Sequence, residues 1–238
     1  MTSVLTLTAV ELEARSLARE LELRPLSHFP FPVFERSRGN VRLRVAPVGL
    51  RAGLLAERWP ALAADLTSLL VISAGTCGAL APDLGVGDLI LPESVLGLSG
   101  ERLNVTPGAH RAAVALAGGA RTGLLLTTSD VVATPEAKAA RFQATGALAV
   151  DLESAIILAW ASHQGCPSLV VRAVSDTAAQ RLPAELVGLV TREGKLLTGR
   201  VLTLALTHPS TIPRALLLRR GSGRALKSVA RLIAALAE

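Results

Sequence analysis

The stretch "ALAVDLESAIILAW", Ala147 to Trp160, changes period part-way along. The run from Leu148 to Asp151 is short and apolar, as a buried strand is, and the segment Leu152–Gln164 has the length and stop signal of a helix, ending at Gly165. A strand feeding directly into a helix is the repeating unit of α/β folds. Asp151 and Glu153 interrupt the stretch, and the next charged side chain is Arg172. A charge withdrawn from water needs a partner, a proton or a task. Two readings fit: Asp151 caps the helix with Glu153 in its first turn, or Glu153 points into a cleft to bind hydroxyls. Both are compatible with the spacing.

The same alternation extends in both directions. Strands are predicted at Val4–Thr8, Val41–Val48, Leu69–Ala74, Asp88–Pro92, Gly123–Thr128, Leu148–Asp151 and Ser168–Ser175, with "SRGN" (Ser37–Asn40) as the turn of an antiparallel hairpin within Val33–Val48. Helices are predicted at Glu11–Leu23, Leu54–Leu66, Pro107–Leu116, Pro135–Gln143 and Leu152–Gln164, two of them opened by proline. From Pro183 the chain reads as a helix, a loop around "THPSTIP", and one or two basic amphipathic helices. The fold class is α/β: a single domain over residues 1–210, a mixed central sheet flanked by helices, and a basic helical extension over 211–238.

Composition narrows the function. Half of the 238 residues are apolar, enough for a substantial core, while aromatics are 3% and tyrosine is absent, which argues against base stacking on nucleic acid. The net charge of +6 resides in the tail, in Arg214, Arg219, Arg220, Arg224, Lys227 and Arg231. No nucleic-acid partner is required. The start of the chain has acidic residues where a signal peptide would be apolar, so cytoplasmic residence is expected. Cys77 and Cys166 provide neither metal spacing nor a disulfide framework, and no metal or cofactor is expected.

In α/β sheets, ligands bind beyond the carboxyl ends of the strands. Three further strand ends carry unusual polar residues: "TAVELEA" (8–14), "SAGTCGALAPDLGVGD" (73–88) and "AVSDTA" (173–178). Asp176 shares a strand face with Val170, Arg172 and Val174; it is either an acid that protonates a leaving group, or a cap or partner of Arg172. Glu11 and Glu13 occupy a first helical turn, where the helix dipole favours carboxylates with or without chemistry. The glycines of 75–87 read as a turn that lets backbone amides approach a ligand, with Thr76 either a contact or a turn residue.

These four segments, in this order, resemble the purine nucleoside phosphorylase and uridine phosphorylase superfamily, and most closely its nucleosidase branch, the methylthioadenosine/S-adenosylhomocysteine nucleosidases. The match rests on "AVELEA", "SAGTCGALAPDLGVGDLILPE", "LAVDLESAIILA" and "PSLVVRAVSDTA". It implies a nucleoside phosphorylase-like three-layer α/β/α domain that cleaves the N-glycosidic bond of an adenine-type nucleoside and needs no cofactor. By position, the resemblance assigns Asp176 to protonation of the base, Glu13 to activation of water, and Glu153, Leu152 and Thr76 to the ribose. It assigns Val131, Val132, Ala133 and Ser175 to the base. Leu152 stands where the family has methionine, and Val132 where an aromatic residue commonly stacks.

Glu13 favours hydrolysis. Arg51, in the altered turn "VGLRAG" (Val48–Gly53), is a candidate phosphate contact and keeps phosphorolysis as the alternative. The tail and the block from Thr128 to Ser154 are also similar to the hopanoid-associated phosphorylases, which implies action on an adenosylated hopanoid and contact of the basic C-terminus with a membrane surface. The resemblance further implies a homodimer. A non-catalytic nucleoside- or lipid-binding module is the alternative of another class.

Overall fold

The computed structural model describes residues 2–182 and 212–238, with side chains of the final segment described from Gly221 onward. The helix expected from Pro183 and most of the "THPSTIP" loop fall outside the described residues. The strands are β1 (Thr2–Thr8), β2 (Arg24–Pro25), β3 (Phe34–Arg38), β4 (Val41–Pro47), β5 (Leu69–Ala79), β6 (Leu89–Leu96), β7 (Arg102–Asn104), β8 (Arg121–Thr127), β9 (Ala149–Asp151) and β10 (Ser168–Asp176). The helices are α1 (Glu11–Glu20), α2 (Leu55–Ala63), α3 (Pro107–Ala117), α4 (Pro135–Thr145), α5 (Ser154–His163) and α6 (Ile212–Leu236), with a 3-10 turn at Leu50–Ala52.

The predicted α/β alternation holds, and the mixed sheet runs β10-β6-β8-β9-β5-β1-β4-β3-β2. β1 pairs in parallel with both β4 and β5, and β3–β4 is the expected hairpin, turning at Gly39 with φ +57°. The sheet differs from an open one in a single respect: β10 also pairs with β5, so the described residues close a ring β5-β10-β6-β8-β9. Closure depends on the length of β5. Residues 75–79 read as a turn from their glycines, yet they continue the strand, and Gly78 and Ala79 pair antiparallel with β9.

Period-2 alternation distributes the core. Val4, Ile72, Val171 and Ala173 face one layer with Ala14 and Leu17 of α1, while Leu5, Leu7 and Val71 face the other with Leu62 of α2 and Ile157 of α5. Val174, Val170, Leu125 and Ile90 fill a third cluster with Ala149 and Cys77 of the ring strands. α6 is amphipathic. Ala225, Leu226, Val229, Ala230 and Ile233 are buried against the sheet, α1 and α3, while Arg224, Lys227 and Arg231 face outward. Gly221 lies so close to β10 that a Cβ there would come 2.6 Å from the Ser175 carbonyl. Among the described residues no helix is long and apolar enough to cross a membrane.

Ile233→Ala should therefore cost about 2–5 kcal/mol in urea-induced unfolding, the usual penalty for truncating a fully buried isoleucine. Arg231→Ala, on the outer side of the same helix, should stay within about 0.5 kcal/mol of the parent.

Candidate active site

The ends of β1, β5, β9 and β10 converge on a cavity of about 240 Å³. Its walls come from Ala9, Val10 and Glu13 after β1, Leu50 after β4, Thr76–Gly78 in β5, Thr128, Val131 and Val132 after β8, Val150–Glu153, Ser175–Asp176, and Leu182.

Beneath the cavity lies Arg172, 1% exposed. Its guanidinium pairs with Asp151 Oδ2 at 2.7 Å and donates to the hydroxyls of Ser73 (2.9 Å) and Ser154 (3.1 and 3.2 Å). Glu153 Oε2 is 4.0 Å away. Burial alone would weaken the arginine's charge; the facing Asp151, Glu153 and Glu13 carboxylates more than offset that. Gly75 makes the crowding feasible. Its φ is +152°, and a Cβ there would sit 2.5 Å from Arg172 Nη1 and 2.9 Å from Glu13 Oε1.

Each carboxylate is held differently. Asp151 accepts from Thr127 Oγ1 at 2.7 Å and from the Ser154 amide at 3.1 Å. The reading that puts Asp151 at the N-cap is shifted by two residues: Glu153 occupies that position without a capping side-chain bond, and Asp151 bonds the Ser154 amide while serving as Arg172's counter-ion. Glu13 is anchored through Oε1 by the Thr76 amide (3.0 Å) and hydroxyl (3.1 Å), and its buried Oε2 has no hydrogen-bond partner among the described residues. Glu153 Oε1 accepts from the Arg51 amide at 3.0 Å. Burial first, then the charges of Asp151 and Glu13, push Glu153 up to about 7, against the pull of Arg172 and the Arg51 amide.

At the opposite wall, β10 is bulged between Val174 and Asp176. The extra residue brings Ser175 and Asp176 to the same side. Ser175 Oγ lies 2.7 Å from Asp176 Oδ1 and 3.1 Å from the Cys77 carbonyl. Asp176 Oδ2 accepts from Lys138 Nζ at 2.6 Å. The alternative in which Asp176 pairs with Arg172 is thus replaced: the arginine takes Asp151, and Asp176 takes a lysine from α4 that the sequence reading did not single out. Lys138 is the one buried residue of α4, surrounded along the helix by exposed alanines. Nothing in the residue pattern marks it.

Glu13, Thr76, Val131, Val132, Leu152, Glu153, Ser175 and Asp176 all line the cavity. Ala133 does not; its carbonyl accepts from the Leu182 amide and ties down the 177–182 loop. Arg51 contributes only its amide to Glu153, and its guanidinium bonds the Ser129 carbonyl and Asp130. Arg51 and Ala52 both adopt left-handed φ, 54° and 50°. Burial pushes the Cys77 thiol upward, out of the range of a nucleophile.

The sequence profile of the phosphorylase superfamily matches residues 52–207. A futalosine hydrolase from Streptomyces coelicolor is 35% identical, over 81% of this chain and 94% of the relative. Among solved structures, a Helicobacter pylori methylthioadenosine nucleosidase mutant with 5'-methylthioadenosine in its active site superposes with TM-score 0.72 at 15% identity, covering 99% of this chain and 98% of that one. The methylthioadenosine/S-adenosylhomocysteine nucleosidase of Neisseria meningitidis, in complex with methylthio-immucillin-A, gives TM-score 0.70 at 20% identity over 99% and 100%. A futalosine hydrolase mutant of Helicobacter pylori gives TM-score 0.69 at 15% identity over 98% and 99%. At these identities the structural likeness is one of fold.

The raised Glu153 predicts a pH signature. Between its ordinary value and about 7 the folded protein binds a proton that the unfolded chain releases, so this group's contribution to stability falls as pH rises through that window. Glu153→Gln lacks the buried charge. Relative to the parent it should gain stability across the same window, reaching on the order of 2–3 kcal/mol above pH 7, with no such gain below pH 4. Urea titrations at stepped pH measure it.

Proposed function

The chain belongs to the phosphorylase superfamily, and we propose that, within the superfamily's nucleosidase branch, it is a nucleosidase that hydrolyses the N-glycosidic bond of futalosine. The observation that carries this reading is the convergence of Glu13, Glu153 and Asp176 on one cavity from three separate elements. The substrate follows the futalosine hydrolase at 35% identity in preference to the nucleosidases at 15–20%.

Breaking an N-glycosidic bond leaves positive charge on the sugar and electrons on the departing base. Glu13 Oε1 is fixed by Thr76, which leaves the unpartnered Oε2 to take a proton from the attacking water. Glu153 binds the ribose hydroxyls, and the surplus of carboxylates on this wall stabilises the developing cation. Asp176 faces the base and mediates its protonation. Val131, Val132 and Leu182 form an apolar slot for the base, and Leu152 borders the sugar.

Hydrolysis is favoured over phosphorolysis by Arg51. Its guanidinium is engaged by Ser129 and Asp130 and does not line the cavity, so it offers no cradle for phosphate. The hopanoid alternative draws on the basic tail and the 128–154 block; among the described side chains of α6, from Gly221 onward, the apolar ones pack onto the sheet and Arg224, Lys227 and Arg231 face outward. An adenine-type nucleoside, which the sequence resemblance implies, is the second substrate to compare.

Purified protein incubated with futalosine, methylthioadenosine or S-adenosylhomocysteine, with and without phosphate, should release free base from futalosine with the highest kcat/KM and at a rate indifferent to phosphate. Chromatography follows the base. Strict dependence on phosphate would overturn hydrolysis, and preference for either adenine nucleoside would overturn the substrate. Asp176→Asn should lower kcat by about 10²–10⁴, the span of a general acid.

A further inference from the structure

We propose that Lys138 is the proton reservoir of the site, a positioning residue that acts through Asp176 and supplies the proton the departing base requires. This rests on the hydrolase reading above. The observation is a buried ammonium whose three N–H groups meet three acceptors: Asp176 Oδ2 at 2.6 Å, the Thr177 carbonyl at 2.8 Å and the Gln180 carbonyl at 3.0 Å. Lys138 is 0% exposed, and the carboxylate it bonds is the one that lines the cavity beside the base slot.

The three acceptors are not equivalent. Two are carbonyls that need a donor at all times, and one is a carboxylate that can take the proton itself. A neutral lysine amine keeps two N–H groups. Once Lys138 has given its third proton to Asp176, both carbonyls remain satisfied and the amine's lone pair faces the aspartic acid. The pocket therefore accommodates both protonation states without stranding a buried polar group. Asp176 is meanwhile held by Ser175 Oγ, and Gly78 leaves room for it, since a Cβ there would crowd Oδ2 at 3.1 Å.

The protons balance. Lys138 passes one proton to Asp176, and Asp176 passes one to the base nitrogen as the C–N electron pair leaves with the base. The attacking water forms the new C–O bond and loses one proton to Glu13. Exchange with solvent then returns Glu13 and Lys138 to their starting states, for a net addition of one water.

A purely structural lysine, clamping the 177–182 loop, makes opposite predictions. Two variants and two leaving groups separate the cases. Lys138→Arg keeps the positive charge and the hydrogen bonds but cannot give up a proton. A nitrophenyl riboside has a leaving group that departs without one. The proposal expects Lys138→Met and Lys138→Arg each to lower kcat for the preferred nucleoside by about 100-fold, with KM within about threefold in Lys138→Arg, which still gives both carbonyls a donor. Each should cleave the nitrophenyl riboside within about fivefold of the parent, the remaining catalysis being unaffected.

Recovery of nucleoside cleavage in Lys138→Arg overturns the proposal, as does an equal loss on both substrates in Lys138→Met. If the parent does not accept the nitrophenyl riboside, the arginine variant decides alone, read against the kcat of the parent. A parent that cleaves no nucleoside overturns the hydrolase reading and this proposal with it, whereas an active parent with active variants overturns this proposal only.

Discussion

A guanidinium with 1% exposure in the middle of a sheet is the constraint around which this site is organised. Arg172 cannot shed its charge, so the fold has to surround it with acceptors. Asp151 and Ser154, three residues apart at the β9–α5 junction, do so together with Ser73 of β5. The consequences spread outward. Gly75 must lack a side chain for Arg172 and Glu13 to approach; Asp151, committed to the arginine, also sets where α5 begins; and Glu153, left with a backbone amide and a cation 4.0 Å away, holds its proton up to about pH 7. Removing the arginine would leave three buried or nearly buried carboxylates with no counter-ion.

The charges divide the cavity into two unlike walls. On the side of α1 and α5, one arginine faces three carboxyl groups, Asp151, Glu13 and Glu153, so that even with Glu153 protonated negative charge is in surplus. On the side of α4 and β10, one lysine faces one aspartate, a pair with no net charge. A fixed gradient of this kind favours heterolysis of a bond placed across it, and it is already in place before any substrate arrives. The buried thiol of Cys77 lies between these walls and adds no charge.

The scaffold was legible in the sequence wherever one periodicity dominated. Val4–Thr8, Val41–Val48 and Ser168–Ser175 declare themselves by β-branched runs, and Pro107 and Pro135 announce helix starts. The end of β5 was hidden because glycines that permit close approach in a strand look the same as glycines that make a turn. β2 and β7, two and three residues long, are too short for any period to register. The partnerships Arg172–Asp151 and Lys138–Asp176 were hidden for another reason: they join elements that are brought together only by ring closure and by the docking of α4. Lys138 in particular sits in a helix whose alanines are exposed and whose lysine is buried, an inversion of the pattern that sequence reading depends upon.

The bulge in β10 carries an asymmetry of its own. In a regular strand Ser175 and Asp176 would point to opposite sides, one into the site and one away. Their shared orientation depends on one surplus residue between Val174 and Asp176. Deleting Ser175 would mend the ladder and leave Asp176 opposite Gly78, without the hydroxyl that bonds its Oδ1. The irregularity is thus a place where a gain in sheet regularity and the loss of a hydroxyl from the cavity wall come from the same single-residue event.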